Sequence, residues 1–142
     1  ATPKIGNYPF TTLEPNIGMF GTHPIADIPG LIEGASSGRG LGVTFLKHIE
    51  KTKTLLHCID SLEKNAERAY ETVRHELGQY NPSLLDKPEI ILFTKTDLAT
   101  EKNSTKNMKI FQKKGKRVLA CSIYRQESLD RLKQALESYL AP

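Results

Sequence analysis

Apolar residues gather in three short runs, each ending abruptly in polar ones: "TLLHCID" (54–60), "EIILFTKTD" (89–97) and "RVLACS" (117–122). Near-continuous hydrophobicity over so few residues predicts buried strands, and it suits a parallel sheet covered on both faces. Between the first two, "SLEKNAERAYETVRHELGQY" (61–80) places Leu62, Ala66, Ala69, Tyr70, Val73 and Leu77 at the three-and-four spacing of one helix face. Gly78 weakens that helix near its end, and Asn81-Pro82 supplies a stop. The tail repeats the spacing with Leu129, Leu132, Leu136, Tyr139 and Leu140. At the front, "NIGMF" and "HPIADI" predict two short strands joined by a turn at Gly21-Thr22. Strand alternating with helix at this rhythm predicts an α/β fold with right-handed crossovers.

Ligands of open α/β sheets bind beyond the carboxyl ends of the strands, so the residues that follow each run carry the functional information. After one run comes "TKTD" (94–97). A carboxylate such as Asp97 can accept two parallel hydrogen bonds from a guanine edge, which adenine cannot supply. Lys95 can lay its alkyl stem along the base while its ammonium stays wet. Thr94 can donate to a ring nitrogen or brace a neighbouring loop. The plainer alternative is a strand followed by a helix N-cap, with Asp97 or Thr100 capping.

"DIPG" (27–30) admits a similar pair of readings. Asp27 at a strand tip can hold a water of hydrated Mg²⁺, and Gly30 can let the backbone approach a terminal phosphate. The mobile composition of residues 34–42 then fits a segment ordered by that phosphate. An ordinary Pro29-Gly30 turn is the alternative. In "PFTTLEPN" (9–16), Thr12 can ligate Mg²⁺ when a γ-phosphate is present, or the stretch is an edge strand with proline bends. "GRGLG" resembles a phosphate cradle in composition only; G-x-x-x-x-G-K-[ST] occurs nowhere in the 142 residues.

Composition narrows the class. The chain is one domain's worth of sequence, 38% hydrophobic and 25% charged, as in soluble globular proteins. No run approaches a membrane span and no basic-then-apolar leader opens it, which predicts a cytoplasmic setting, or an organellar one in a eukaryote. Cys58 and Cys121 sit in apolar runs and are expected as buried free thiols. His23, His48, His57 and His75 have no Ser or Cys nucleophile in a pairing pattern, so satisfied core or surface histidines are expected. The net charge is +4, with Lys102, Lys106, Lys109, Lys113, Lys114, Lys116 and Arg117 concentrated late in the chain. A solvated helix face and a nucleic-acid contact both accommodate them.

Taken together and in order, "PKIGNYPFTTLEPNIGMF", "ADIPGLIEGASSGRGLGVTFLKHIEKTKTLLHCID" and "TKTD" resemble the Obg family of translation-associated GTPases. The resemblance runs from Pro3 to about Asp97 and weakens beyond to a pattern ending in "CSI". It implies a Ras-like P-loop fold, a three-layer sandwich with a mostly parallel sheet, and one G domain over residues 1–142. It also implies GTP or GDP with Mg²⁺ as ligand, slow GTP hydrolysis, and a role in large ribosomal subunit assembly. The expected partners are the ribosome or its RNA, with no membrane and no DNA.

By the same resemblance Phe10, Thr11, Thr12, Leu13 and Glu14 form the second G motif, with Thr12 a Mg²⁺ ligand. Asp27, Ile28, Pro29 and Gly30 form the third, with Asp27 reaching the metal through water. Thr94, Lys95, Thr96 and Asp97 form the guanine-specifying fourth. Ser122, Ile123 and Tyr124 form the fifth, whose backbone meets the guanine oxygen. Thr94 stands where the family usually has Asn, which softens guanine affinity, and Ile123 replaces a common Ala. Leu31 stands where Ras-type enzymes carry the Gln that orients the attacking water, which implies slow intrinsic turnover. The family's first strand, phosphate-binding loop and first helix should precede Ala1, so the chain is expected to be part of a longer protein. Three functions remain open on sequence: a GTPase domain, a non-catalytic ribosome- or RNA-docking module, and a scaffold with accidental motif matches.

Overall fold

The computed structural model describes residues 16–27 and 49–140. They divide into two compact units. One takes in 16–27, 49–53 and 71–87; the other takes in 54–70 and 88–140.

In the first unit, β1 (Asn16–Phe20) and β2 (His23–Asp27) pair antiparallel, from Asn16 opposite Asp27 to Phe20 opposite His23. Gly21 opens the two-residue turn at φ +60, and a Cβ there would meet nothing within 4 Å. Glycine is therefore required by the backbone rather than by space; a positive φ at the first turn residue is the type II′ pattern that matches strand twist. This is the hairpin the sequence predicts. Elsewhere in the unit, the Arg74 guanidinium donates to the Leu85 carbonyl at 3.0 Å and the Lys87 ammonium to the Glu50 carbonyl at 3.1 Å.

The second unit is built on a parallel sheet of order β3-β4-β5, with β3 spanning Leu55–Asp60, β4 Glu89–Thr94 and β5 Arg117–Ala120. Helix α1 (Ala66–Tyr80) follows β3, α2 (Glu101–Lys113) joins β4 to β5, and α3 (Gln126–Leu140) ends the chain's described part. The first residues of α1 belong to this unit and the rest to the other. Alternation along each strand sends Ile59, Ile91 and Phe93 to one face, where Ala66 and Tyr70 of α1 and Phe111 of α2 close a buried core. Phe111 is fully buried, edge-on to Tyr70 at 5.2 Å and tilted against Phe93 at 5.7 Å. On the opposite face Ile90 and Leu92 are buried, and Arg117 lays its guanidinium over the Tyr139 ring of α3 at 4.3 Å. Helices thus flank the sheet on both sides, as expected of the predicted α/β sandwich.

Three readings of the sequence need correction. Leu62 lies outside α1, 54% exposed, because the Asp60 carboxylate captures the Leu62 N–H at 2.9 Å and turns the chain. The helix begins only after Asn65, whose side-chain oxygen accepts the Arg68 N–H at 3.0 Å. Cys58 is exposed, not buried: β3 is the end strand of the three, and its outward residues Leu56 and Cys58 alternate with the buried Ile59. Cys121 is buried, as expected. His57 is half-buried and stacked on Tyr70 at 5.1 Å, but its Nδ1 stops 3.6 Å short of the Glu89 carboxylate and makes no hydrogen bond. Tyr70 takes that carboxylate instead, donating its hydroxyl at 2.6 Å.

Candidate functional site

Parallel register brings the carboxyl ends of β3, β4 and β5 to one level. Asp60 lies opposite Thr94 and Phe93 opposite Ala120. The next residues continue the ladder, with Ser61 N–H donating to the Thr94 carbonyl at 3.0 Å and Cys121 N–H to the Phe93 carbonyl at 2.9 Å. The polar residues after each strand therefore emerge from one edge of the sheet.

Beyond β4 the chain reverses at Lys95, the one non-glycine residue with positive φ among those described (φ 58, ψ 38). A side chain in this left-handed conformation costs about 1–2 kcal/mol, and such strain collects at ligand sites. The reversal leads into a short 3-10 turn, Thr96–Leu98, tied to the β5 end by Thr96 N–H donating to the Cys121 carbonyl at 3.3 Å. The Lys95 ammonium reaches the Asp60 carboxylate at 3.0 Å and remains largely exposed, so its stem runs across the strand ends.

Asp97 is the centre of the arrangement. Its Oδ1 accepts the Ser122 hydroxyl at 2.7 Å, which joins the "TKTD" and "CSI" segments directly. Ser122 is fully buried and is itself fixed on all sides. Its hydroxyl accepts the Tyr124 N–H at 3.2 Å, its N–H donates to Ser128 Oγ at 3.0 Å, and its carbonyl accepts from the same Ser128 hydroxyl at 2.9 Å. The cap of α2 is Thr100, whose Oγ1 accepts the Asn103 N–H at 3.2 Å. Asp97 is thus not spent on capping, and the alternative that sequence left open is decided for Thr100. Ile123 and Tyr124 are 71% and 81% exposed, leaving backbone rather than packed side chains at this edge.

Sequence reading did not anticipate Ser128, Asp60 or the Ser122–Asp97 bond. A serine two residues into a predicted helix looks like an ordinary first-turn polar residue, and nothing local in the sequence pairs positions 25 apart. The Thr94 hydroxyl, expected to meet a base or a loop, is half-buried at the end of β4. Asp27 closes β2 as expected. Phe10, Thr11, Thr12, Leu13, Glu14, Ile28, Pro29, Gly30 and Leu31 lie outside the described residues.

Electrostatically, the Asp60 carboxyl is held below its ordinary value of 3.8, chiefly by the Leu62 N–H and then by the Lys95 ammonium. A depressed carboxyl contributes stability that is present above its unfolded value and is lost as pH falls through the folded one. Asp60→Asn should therefore cost a few tenths of a kcal/mol at neutral pH, discounted for exposure, and nothing at the acid end. Denaturant midpoints taken from pH 7 down to pH 2 should converge for the two proteins below about pH 4, a value set by the ordinary carboxylate range. A constant gap across that range would show that the effect is not ionic.

Residues 1–95 match the family of 50S ribosome-binding GTPases. The chain is 47% identical to the GTPase Obg of Pelagibacter ubique (strain HTCC1062), over 99% of its own length and 45% of that protein. It is 45% identical to the GTPase Obg of Chlorobaculum tepidum, over 96% of its length and 41% of that protein, and 45% identical to that of Persephonella marina, over 93% and 42%. The chain belongs to the 50S ribosome-binding GTPases, within the Obg family. It spans less than half the length of these curated relatives.

Proposed function

We propose that the chain forms the guanine-reading part of a GTP-binding, GTP-hydrolysing domain that serves assembly of the large ribosomal subunit. The observation that carries this reading is the Asp97–Ser122 hydrogen bond at the strand ends, with helix capping assigned elsewhere. A carboxylate whose one oxygen is anchored keeps a fixed plane, and a fixed plane suits the two parallel N–H groups of guanine. Lys95 supplies an apolar stem beside that plane, and the backbone N–H of Ile123 is the one placed to meet the guanine oxygen, since those of Ser122 and Tyr124 are held by the Ser128 and Ser122 hydroxyls.

Magnesium enters the same reading. Among the described residues no group of three His, Cys, Asp or Glu side chains could hold a metal ion. Mg²⁺ takes few protein ligands and keeps its waters, so Asp27 through water and Thr12 directly are a sufficient protein share, the nucleotide phosphates providing the rest. When bound, the ion would neutralise phosphate charge. Hydrolysis would be slow, because Leu31 cannot orient water. A cytoplasmic setting fits the reading; among the described residues no helix is long and apolar enough to cross a membrane.

The test is a titration of the chain with guanine and adenine nucleotides, with and without Mg²⁺. Because G-x-x-x-x-G-K-[ST] is absent from these residues, binding should be weak. Guanine should still be preferred by about tenfold or more, the order of one charge-assisted hydrogen bond. Equal affinity for the two bases would overturn the proposal and favour a docking module that uses no nucleotide.

A further inference from the structure

The chain's positive charge is concentrated in one place. Residues 101–117 carry seven Lys and Arg against Glu101 alone, a net +6, while the whole chain is +4; the remainder is therefore net −2. Three of the seven have partners within the fold. The Lys114 ammonium pairs with Glu67 at 2.9 Å, Lys116 sits over the Tyr70 ring at 5.9 Å, and Arg117 covers Tyr139. The other four, Lys102, Lys106, Lys109 and Lys113, are all exposed, and none forms an ion pair among the described residues.

Their spacing of four, three and four residues is that of a single helix face. At 3.6 residues per turn the four fall within an arc of about 60°, along a stripe about 16 Å long. Like charges at such spacing repel one another across the helix surface, so the arrangement lowers the stability of α2 unless an anion lies along it. Thr105 and Gln112, both exposed, flank the stripe on one side. An open concavity of about 640 Å³ is lined, among the described residues, by the four lysines with Thr105 and Ile110, and by one acidic side chain, Glu101, at the helix start.

We propose that this face of α2 docks on RNA, the four lysines following the phosphate backbone while Thr105 and Gln112 reach ribose hydroxyls. A linear run of cations with flanking neutral donors matches a polyanion rather than a compact anionic ligand, which would need converging groups. The phosphate-binding face stands on charge and placement alone. The choice of RNA over other polyanions rests on the family reading and on the flanking donors.

The experiment measures binding of the 142-residue chain to a duplex RNA hairpin and to a DNA hairpin of the same sequence, across a salt series. Four phosphate contacts predict a slope of log affinity against log salt of about −3 to −4. Replacing Lys102, Lys106, Lys109 and Lys113 together by Gln should weaken RNA binding at least tenfold and flatten that slope by about three. Gln has nearly the helix propensity of Lys, so the melting temperature should be unchanged or raised. A charge-matched variant, with Lys51, Lys53, Lys64 and Lys133 replaced by Gln, should keep most of the binding. Equal loss in both variants, a salt-independent wild type, or equal affinity for DNA would each overturn the proposal. Guanine preference, measured on the same stripe variant, should be unaffected, so failure here is distinguishable from failure of the nucleotide reading.

Discussion

Replacing Asp97 by Asn should remove the preference for guanine while leaving the fold in place. The amide oxygen can still accept the Ser122 hydroxyl, now at 2.7 Å from the carboxylate, so the link between the β4 and β5 ends survives. The other end of the side chain changes from an acceptor to an N–H donor facing the two donors of guanine. Hydrogen bonds to a charged group contribute about 1.5–3 kcal/mol. The expected loss is therefore about 1.5–3 kcal/mol in guanine nucleotide affinity, roughly tenfold to 150-fold, with adenine binding unchanged. Competition binding with paired guanine and adenine nucleotides reads both numbers. A parallel drop in adenine affinity would mean that Asp97 supports the fold and not the base.

The largest effect on stability should come from Phe111→Ala. This ring is fully buried and touches both Tyr70 and Phe93, so it links α2 to α1 and to the central strand β4. Truncation removes its transfer free energy and leaves a cavity between aromatic neighbours that cannot close over it. Such substitutions cost about 3–5 kcal/mol, a large share of the 5–15 kcal/mol that keeps a domain folded. Urea unfolding followed by circular dichroism should show that loss as a lower midpoint with an unchanged slope. A cost under about 1 kcal/mol would place Phe111 outside the core, since only surface substitutions are that mild.

Much of this was legible in the chain because its strands are short apolar runs that stop at polar residues. That pattern located β3, β4 and β5 within a few residues and put the chemistry at their ends. The Gly21-Thr22 turn was legible for a similar reason, since two-residue hairpin turns need a residue that tolerates positive φ. Other features depend on groups far apart in sequence. Cys58 reads as buried because its run is apolar, yet whether a strand is central or at the end of a sheet is a property of its neighbours. Leu62 fits the helical spacing, but Asp60 captures its N–H first and delays the helix to Asn65. Lys95 adopts a conformation usually left to Gly, Asn or Asp, so no residue type announces it. The Ser122–Asp97 bond joins two motifs that sequence reasoning treats separately, and Ser128 supports it from a helix whose apolar spacing predicts only a packing role.

The central claim is that one guanine base is read jointly by the ends of β4 and β5. The most direct test follows the backbone amide resonances of an isotopically labelled chain during titration with GDP and then ADP. The account predicts that the amides of Lys95 to Asp97 and of Ser122 to Tyr124 shift together with GDP, along one binding curve, and barely move with ADP. Shifts confined to one of the two segments, or equal for both nucleotides, would contradict it.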